Sequence, residues 1–366
     1  MPRSGISDLP LHGGDAPKWL FTRMVKLAAA ISEIVIDEQG TLGLLERMSD
    51  PYWFQAYSCV LGFDWHSSGT TTVTCGAMKE AMNTSESIGV AGGKGSVSRR
   101  APAEIGAWCE VHGISPSRET ALVYASRMSA KVDNAALQDG HQLYHHCLFF
   151  DTQGNWTVVQ QGLCDATGYA RRYQWHSSGL KRFVDEPHTA ICGQPTENVL
   201  DMTAAKSEAT RDASVDLVND GVERLKRDIV VVEEGQSTLS EFAGDTPLKL
   251  HMPRNINWEV LRRAYEFHPT GYEELLGVEG VGPATVRALA MISELIYGTE
   301  ASWKDPVKFS FAVGGKDGVP FPVDRKAMDR STEMLRAGIE GSRLGNKEKL
   351  DAIARLRRFV PPDQAW

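Results

Sequence analysis

Leu143-Tyr144-His145-His146-Cys147-Leu148-Phe149-Phe150 and Trp156-Thr157-Val158-Val159-Gln160-Gln161, joined by Asp151-Thr152-Gln153-Gly154-Asn155, form the stretch whose reading decides the fold. Two apolar runs rich in aromatic and β-branched residues flank five turn formers, which predicts a β-hairpin. Side chains alternate along a strand, so His145 and His146 face opposite sides, and only one of them reaches a shared cleft. The same applies to Gln160 and Gln161. If the strand begins early enough, parity groups His141 and His145 with Cys147 and Phe149, and His146 with Leu148 and Phe150.

Working outward, the chain is mostly helical before this hairpin. Asp15-Ala16-Pro17 is a helix-start signal, followed by Leu20, Met24, Leu27, Ile31 and Ile34 on one face. Asp50-Pro51 opens a second apolar helix through Trp53, Phe54, Tyr57 and Val60. Phe63-Asp64-Trp65-His66-Ser67-Ser68-Gly69 breaks that pattern, and Thr70 to Thr74 continue it as small and β-branched residues. Gly92-Gly93-Lys94-Gly95 is a polar loop without the context of a nucleotide-binding loop. Helical spacing returns near Pro102 and again from Arg118 to Leu137. After the hairpin, Trp175-His176-Ser177-Ser178-Gly179 repeats residues 65–69, as if two similar turns flanked one cleft. The expected organisation is an α+β or α/β catalytic region over 1–190, a helical segment and linker over 191–253, and a mainly α-helical region over 254–366. A last helix is expected from Lys347 to Arg358.

Composition narrows the class. The 366 residues are 42% hydrophobic and 23% charged, ordinary values for a globular chain. Six scattered cysteines without a Cys-x-x-Cys pair argue against a disulfide scaffold or zinc ribbon and for reduced thiols in a cytoplasm. No apolar run has the length of a membrane span. The net charge of -8 requires any nucleic-acid face to be locally basic.

The densest set of catalytic residue types is Lys131, Asp133, Asp139, His141, His145, His146, Gln160, Gln161 and His176, with Asp64, His66 and Lys94 upstream. Phosphodiester hydrolysis needs an activated water, charge neutralisation and a leaving-group acid. Carboxylates and histidines could hold a divalent metal ion for this. Alternatively, histidine acts as base or nucleophile while Lys94, Arg171 and Arg172 neutralise charge. The catalytic set expected here is His66, Lys94, Asp133, His145 and His176. The metal, if any, is left open.

A second stretch, Glu273-Glu274-Leu275-Leu276-Gly277-Val278-Glu279-Gly280-Val281-Gly282-Pro283-Ala284-Thr285-Val286-Arg287, names the expected partner. A short helix runs into Gly-Val-Gly, and Pro283 opens the next helix. Amides at that helix start, with the positive dipole end behind them, suit a phosphate oxygen. This resembles the helix-hairpin-helix motif, which grips the DNA backbone without reading sequence. The resemblance implies DNA contacts at Gly280, Val281, Gly282, Ala284, Thr285 and Arg287, with Arg171 and Arg172 as further basic contacts. The competing reading is an ordinary helix-turn-helix corner.

Several segments together resemble the prokaryotic domain-of-unknown-function family 763. They are Leu11 to Leu20, Gly62 to Gly69, Gly92 to Gly95, Lys131-Val132-Asp133-Asn134, Tyr144-His145-His146, Gln160-Gln161-Gly162 and Gly314 to Gly318. The resemblance implies a cytoplasmic protein acting on DNA, and a nuclease for damaged, branched or single-stranded DNA is the preferred activity; a homodimer is a further expected partner, with oligomeric state left open. Phe321-Pro322-Val323-Asp324-Arg325 also resembles the catalytic segment of helix-hairpin-helix DNA glycosylases, which would give Asp324 a role in base excision. Ala284 stands where lyase-type members carry lysine, so Schiff-base chemistry from that position is excluded. Asp324 is equally well read as a helix cap. A non-catalytic DNA-binding protein is the third class.

Overall fold

The computed structural model describes residues 18–62, 68–228, 252–253, 256–308, 325–341 and 345–359. The architecture is mixed α+β. A five-stranded antiparallel sheet lies between two helical layers, and antiparallel pairing throughout removes the α/β alternative. Its strands are β1 (Ile88–Lys94), β3 (Gln142–Asp151), β4 (Trp156–Cys164), β5 (Tyr169–His176) and β6 (His188–Cys192), in that order across the sheet. β2 (Leu137–Gln138) and β7 (Leu200–Asp201) pair separately.

The first layer contains α1 (Lys18–Ser49), kinked at Gly40, with α2 (Pro51–Leu61) and α3 (Ser68–Ala81). The Asp50 carboxylate accepts the amides of Tyr52 and Trp53 at 2.8 and 3.2 Å, and Pro51 takes the first helical position. Met24, Ile31, Trp53, Phe54 and Met78 from these helices pack on Ile88, Cys147, Phe149 and Val159 of the sheet. The last two helices, Arg325–Gly341 and Asn346–Phe359, join this layer through Leu335, Ile339 and Ala352.

The opposite face carries Leu148, Phe150, Val158 and Trp175. It is covered by α4 (Ala101–Val111), α5 (Pro116–Lys131), α6 (Glu208–Asn219), α7 (Trp258–Phe267), α8 (Tyr272–Gly277) and α9 (Pro283–Tyr297). One apolar cluster runs from the sheet through Val215 and Leu217 of α6 to Val286 and Leu289 of α9. Packing thus continues straight through the expected boundaries near 190 and 253.

The predicted β3–β4 hairpin is present. Asp151 closes its turn by accepting the amides of Gln153 and Asn155, both at 2.9 Å. Residues 70–74 differ from expectation, because they lie inside α3. Thr70, Thr71 and Thr74 are buried, and Thr74 donates to Ser58 Oγ at 2.9 Å, so packing against α2 overrides weak helix propensity. Gly92-Gly93-Lys94 is likewise strand rather than loop. A Cβ at Gly92 (φ 96°) would sit 2.2 Å from the His146 carbonyl oxygen, so only glycine lets β1 lie this close to β3.

The two Trp-His-Ser-Ser-Gly copies are not alike where both are described. Ser68 and Gly69 open a helix, whereas Ser178 and Gly179 form a turn. Residues 63–67 lie outside the described residues.

Candidate functional site

Strand register sorts the polar residues of the sheet into two groups. On the face covered by α1–α3, Lys94 lies opposite His145, His145 opposite Gln161, Gln161 opposite Arg172, and Arg172 opposite Cys192. These residues form one row across all five strands, with about 5 Å between neighbouring backbones. The register slips between Leu143 and His145, so Tyr144 is a bulge residue, and its hydroxyl accepts a hydrogen bond from Gln161 Nε2. Bulges commonly re-aim a side chain beside a site.

Lys94 is exposed at the outer end of the row. His145 is 1% exposed and neither ring nitrogen has a hydrogen-bond partner. Burial, then the charges of His146 and Lys94, push its pKa down to about 3, so the imidazole is neutral at pH 7. Arg172 is also 1% exposed. Its guanidinium lies 4.5 Å from the Phe54 ring centroid beside the Cys192 thiol, and its Nε and Nη1 have no partner. Cys147, two residues beyond His145, meets Cys75 of α3 beneath the row, and burial raises the Cys75 thiol pKa.

The opposite face holds a closed chain of hydrogen bonds. Ser126 of α5 pairs with His146 Nε2 at 2.8 Å, and His146 Nδ1 with Gln160 Oε1 at 2.9 Å. Gln160 Nε2 donates to Asp133, which also accepts Trp175 Nε1 at 3.0 Å and pairs with His188. Asp133 reaches inward because α5 ends in a π-helical turn, Val132–Ala136. Burial raises its pKa, and the contacts to His188 and Trp175 oppose that rise. A second network joins Asp139 to Arg171 at 2.7 Å and to Tyr173 at 2.6 Å, and Arg171 to both carboxylate oxygens of Asp305. Burial raises the Asp139 pKa, but hydrogen bonding from His141 and the charge of Arg171 outweigh it and hold the group below its usual value.

The expected catalytic set is therefore divided. Lys94 and His145 are neighbours, but Asp133 is on the other side of the sheet. His176 shares the face of His145, yet its partner Thr157 lies four residues along β4 from Gln161, about 13 Å away. His176 Nδ1 is paired with Thr157 Oγ1 at 2.9 Å. His66, Asp64 and Asp324 lie outside the described residues. His141 precedes the strand and bonds to Asp139, so the parity that grouped it with His145 does not apply. Arg171 is not a surface contact, because it is fully buried and its Nη1 and Nη2 donate to Asp139, Asp305, Gln194 and Thr196, with Nε alone left without a partner. Arg172 is equally buried. Sequence reading left out Tyr144 as a site residue, since a bulge leaves no periodicity signal. Among the described residues no three His, Cys, Asp or Glu side chains are grouped to hold a metal ion.

The 278–282 turn between α8 and α9 packs against this framework. Gly280 has φ 89°, and a Cβ there would meet Val260 Cγ2 at 2.6 Å. The Val281 amide, expected to face outward, is bonded to the Val278 carbonyl at 3.1 Å, and the Val281 side chain is buried. Gly282 caps α9, leaving Ala284 and Thr285 in the first turn, where amides have no preceding helical acceptor. Arg287 is half-buried over the Trp303 ring at 5.0 Å. Gln138 Nε2 donates to the Pro283 carbonyl at 2.8 Å. Beside the turn, a 520 Å³ cleft is lined by Tyr124, Met128, Arg263, Phe267, Glu273, Glu274 and Glu279, among others.

One family model matches residues 5–323. The chain belongs to that family, described as Protein of unknown function (DUF763). The match takes in the row, both buried networks and the 278–282 turn, and ends before the last two helices. No curated protein and no solved structure matches the chain. No described helix is long and apolar enough to cross a membrane.

Proposed function

We propose that this protein is a DNA-binding hydrolase that cuts phosphodiester bonds. The observation that carries this reading is His145, a buried neutral imidazole with both nitrogens unpaired, directly across from the exposed ammonium of Lys94. Burial weakens this imidazole as a base, and a phosphate anion entering beside it favours the imidazolium, so with substrate bound it takes the proton of an attacking water. Water oxygen then bonds to phosphorus as the ester P–O bond breaks, Lys94 gives a proton to the departing oxygen, and the Gln161 and Tyr144 pair positions the group. Substrate is held by the first-turn amides of α9 in the manner of a helix-hairpin-helix. Gln138, bonded to Pro283, is seven residues from His145, so no more than about 25 Å of extended chain separates grip from row. Carboxylates of Glu273, Glu274 and Glu279 repel phosphate, so a strand held at the turn runs away from that cleft.

Labelled duplex, branched and single-stranded oligonucleotides test the proposal, with and without chelator. Strand cutting that His145→Ala abolishes and His176→Ala retains is the expected result. Binding without any product overturns the hydrolase reading. Release of a base with the strand intact would instead favour glycosylase chemistry.

A further inference from the structure

Charge is left unbalanced at the inner end of the row. Arg172 projects from the fourth strand of five, three strand spacings from exposed Lys94, and 1% of it meets solvent. A guanidinium keeps its charge in proteins, and burying one without a partner is strongly unfavourable. Among the described residues no carboxylate pairs with it, and Nε and Nη1 have no acceptor. Asp50, whose charge is felt at the adjoining Cys192, uses its carboxylate to cap α2. The aromatic ring of Phe54 covers the guanidinium face, which leaves the N–H edge as its binding side. Edge donors in this fork geometry match the oxygens of a phosphate. Unpaired His145 supplies one more N–H within the same row.

We propose that Arg172 forms an anion pocket, beside Gln161 and His145 of the same row, for the terminal phosphate of a nucleic-acid strand, so that the substrate is a phosphorylated strand end. This rests on the hydrolase reading for its substrate but not for its anion. Burial excludes an internal phosphate of a duplex, whose neighbours on both sides would have to enter too. A terminal phosphate enters alone. Arg172 and His145 are two strand spacings apart, about 10 Å, so a phosphate at Arg172 sets the first ester linkage near His145 and Lys94. Products would be mononucleotides removed from the end.

Two measurements on the full chain test it. Thermal unfolding is followed against inorganic phosphate, with chloride at equal ionic strength as control. Phosphate raises Tm of the parent chain, Arg172→Met abolishes the rise, and Arg172→Lys restores part of it. Oligonucleotides with 5′-phosphate, 3′-phosphate or only hydroxyl ends are then compared. One phosphorylated end is processed at least tenfold faster than its hydroxyl counterpart, and Arg172→Met brings that ratio towards one. Equal processing of all ends with no phosphate effect on Tm overturns the pocket and leaves the hydrolase reading standing. Stabilisation by phosphorylated ends without cutting supports the pocket and overturns the hydrolase.

Discussion

The two faces of the central sheet bury similar polar side chains in opposite states. Towards α5, Asp133, His146, Gln160 and His188 fill one another's hydrogen bonds, with Ser126 and Trp175 closing the ends. Towards α2 and α3, His145 and Arg172 are equally buried but unfilled. A satisfied buried network holds a fold in one arrangement, whereas an unsatisfied one stores an unfavourable energy that a ligand can relieve. Adjacent residues of the chain divide between the two. His146 belongs to the closed chain and Arg171 is ion-paired with Asp139 and Asp305, only its Nε unfilled, whereas His145 and Arg172 belong to the open row.

Breaking the closed side should have the largest effect. Asp133→Ala leaves the donors of His188, Trp175 and Gln160 buried without an acceptor, and should cost about 3–5 kcal/mol in urea unfolding. On the open side, the sign should reverse. Arg172→Met removes a buried cation that no described carboxylate balances, while the methionine keeps apolar contact with Phe54, and should leave urea stability unchanged or raised by about 1–3 kcal/mol, a contrast that would collapse if Arg172 were structural.

Acid should sharpen the same comparison. His145, His146 and His176 all have pKa values lowered first by burial, so the unfolded chain binds more protons than the folded one below the ordinary value of 6.5. Stability should therefore be fully present above pH 6.5 and fall as pH drops towards 3, and His145→Asn should flatten the profile of unfolding midpoint against pH. At the turn, Gly280→Ala must accommodate both φ 89° and the contact with Val260, at a cost of about 1–3 kcal/mol, with weaker retention of DNA on a filter. Smallest is Ser126→Ala, which unpairs His146 Nε2 alone and should cost about 1 kcal/mol in the same urea assay.

Much of the fold was legible because local chemistry and packing agree there. Asp50-Pro51, the turn from Asp151 to Asn155 and the alternation of His145 with His146 are each readable from a few neighbouring residues. Thr70 to Thr74 misled because helix–helix burial outweighs β-branched preference. The division of Lys94, Asp133, His145 and His176 was not legible, since it depends on which strands are neighbours and where β3 bulges.

By itself, the sequence determined the strands of the hairpin, the main helix starts and the residue types available for phosphate chemistry, because caps, turns and periodicity act over a few residues. Only the tertiary structure decided that Lys94, His145, Gln161 and Arg172 share a row while Asp133 and Arg171 are sealed away. Pairing residues far apart in the chain sets which buried groups find partners, and a single bulge at Tyr144 changes which side a residue faces.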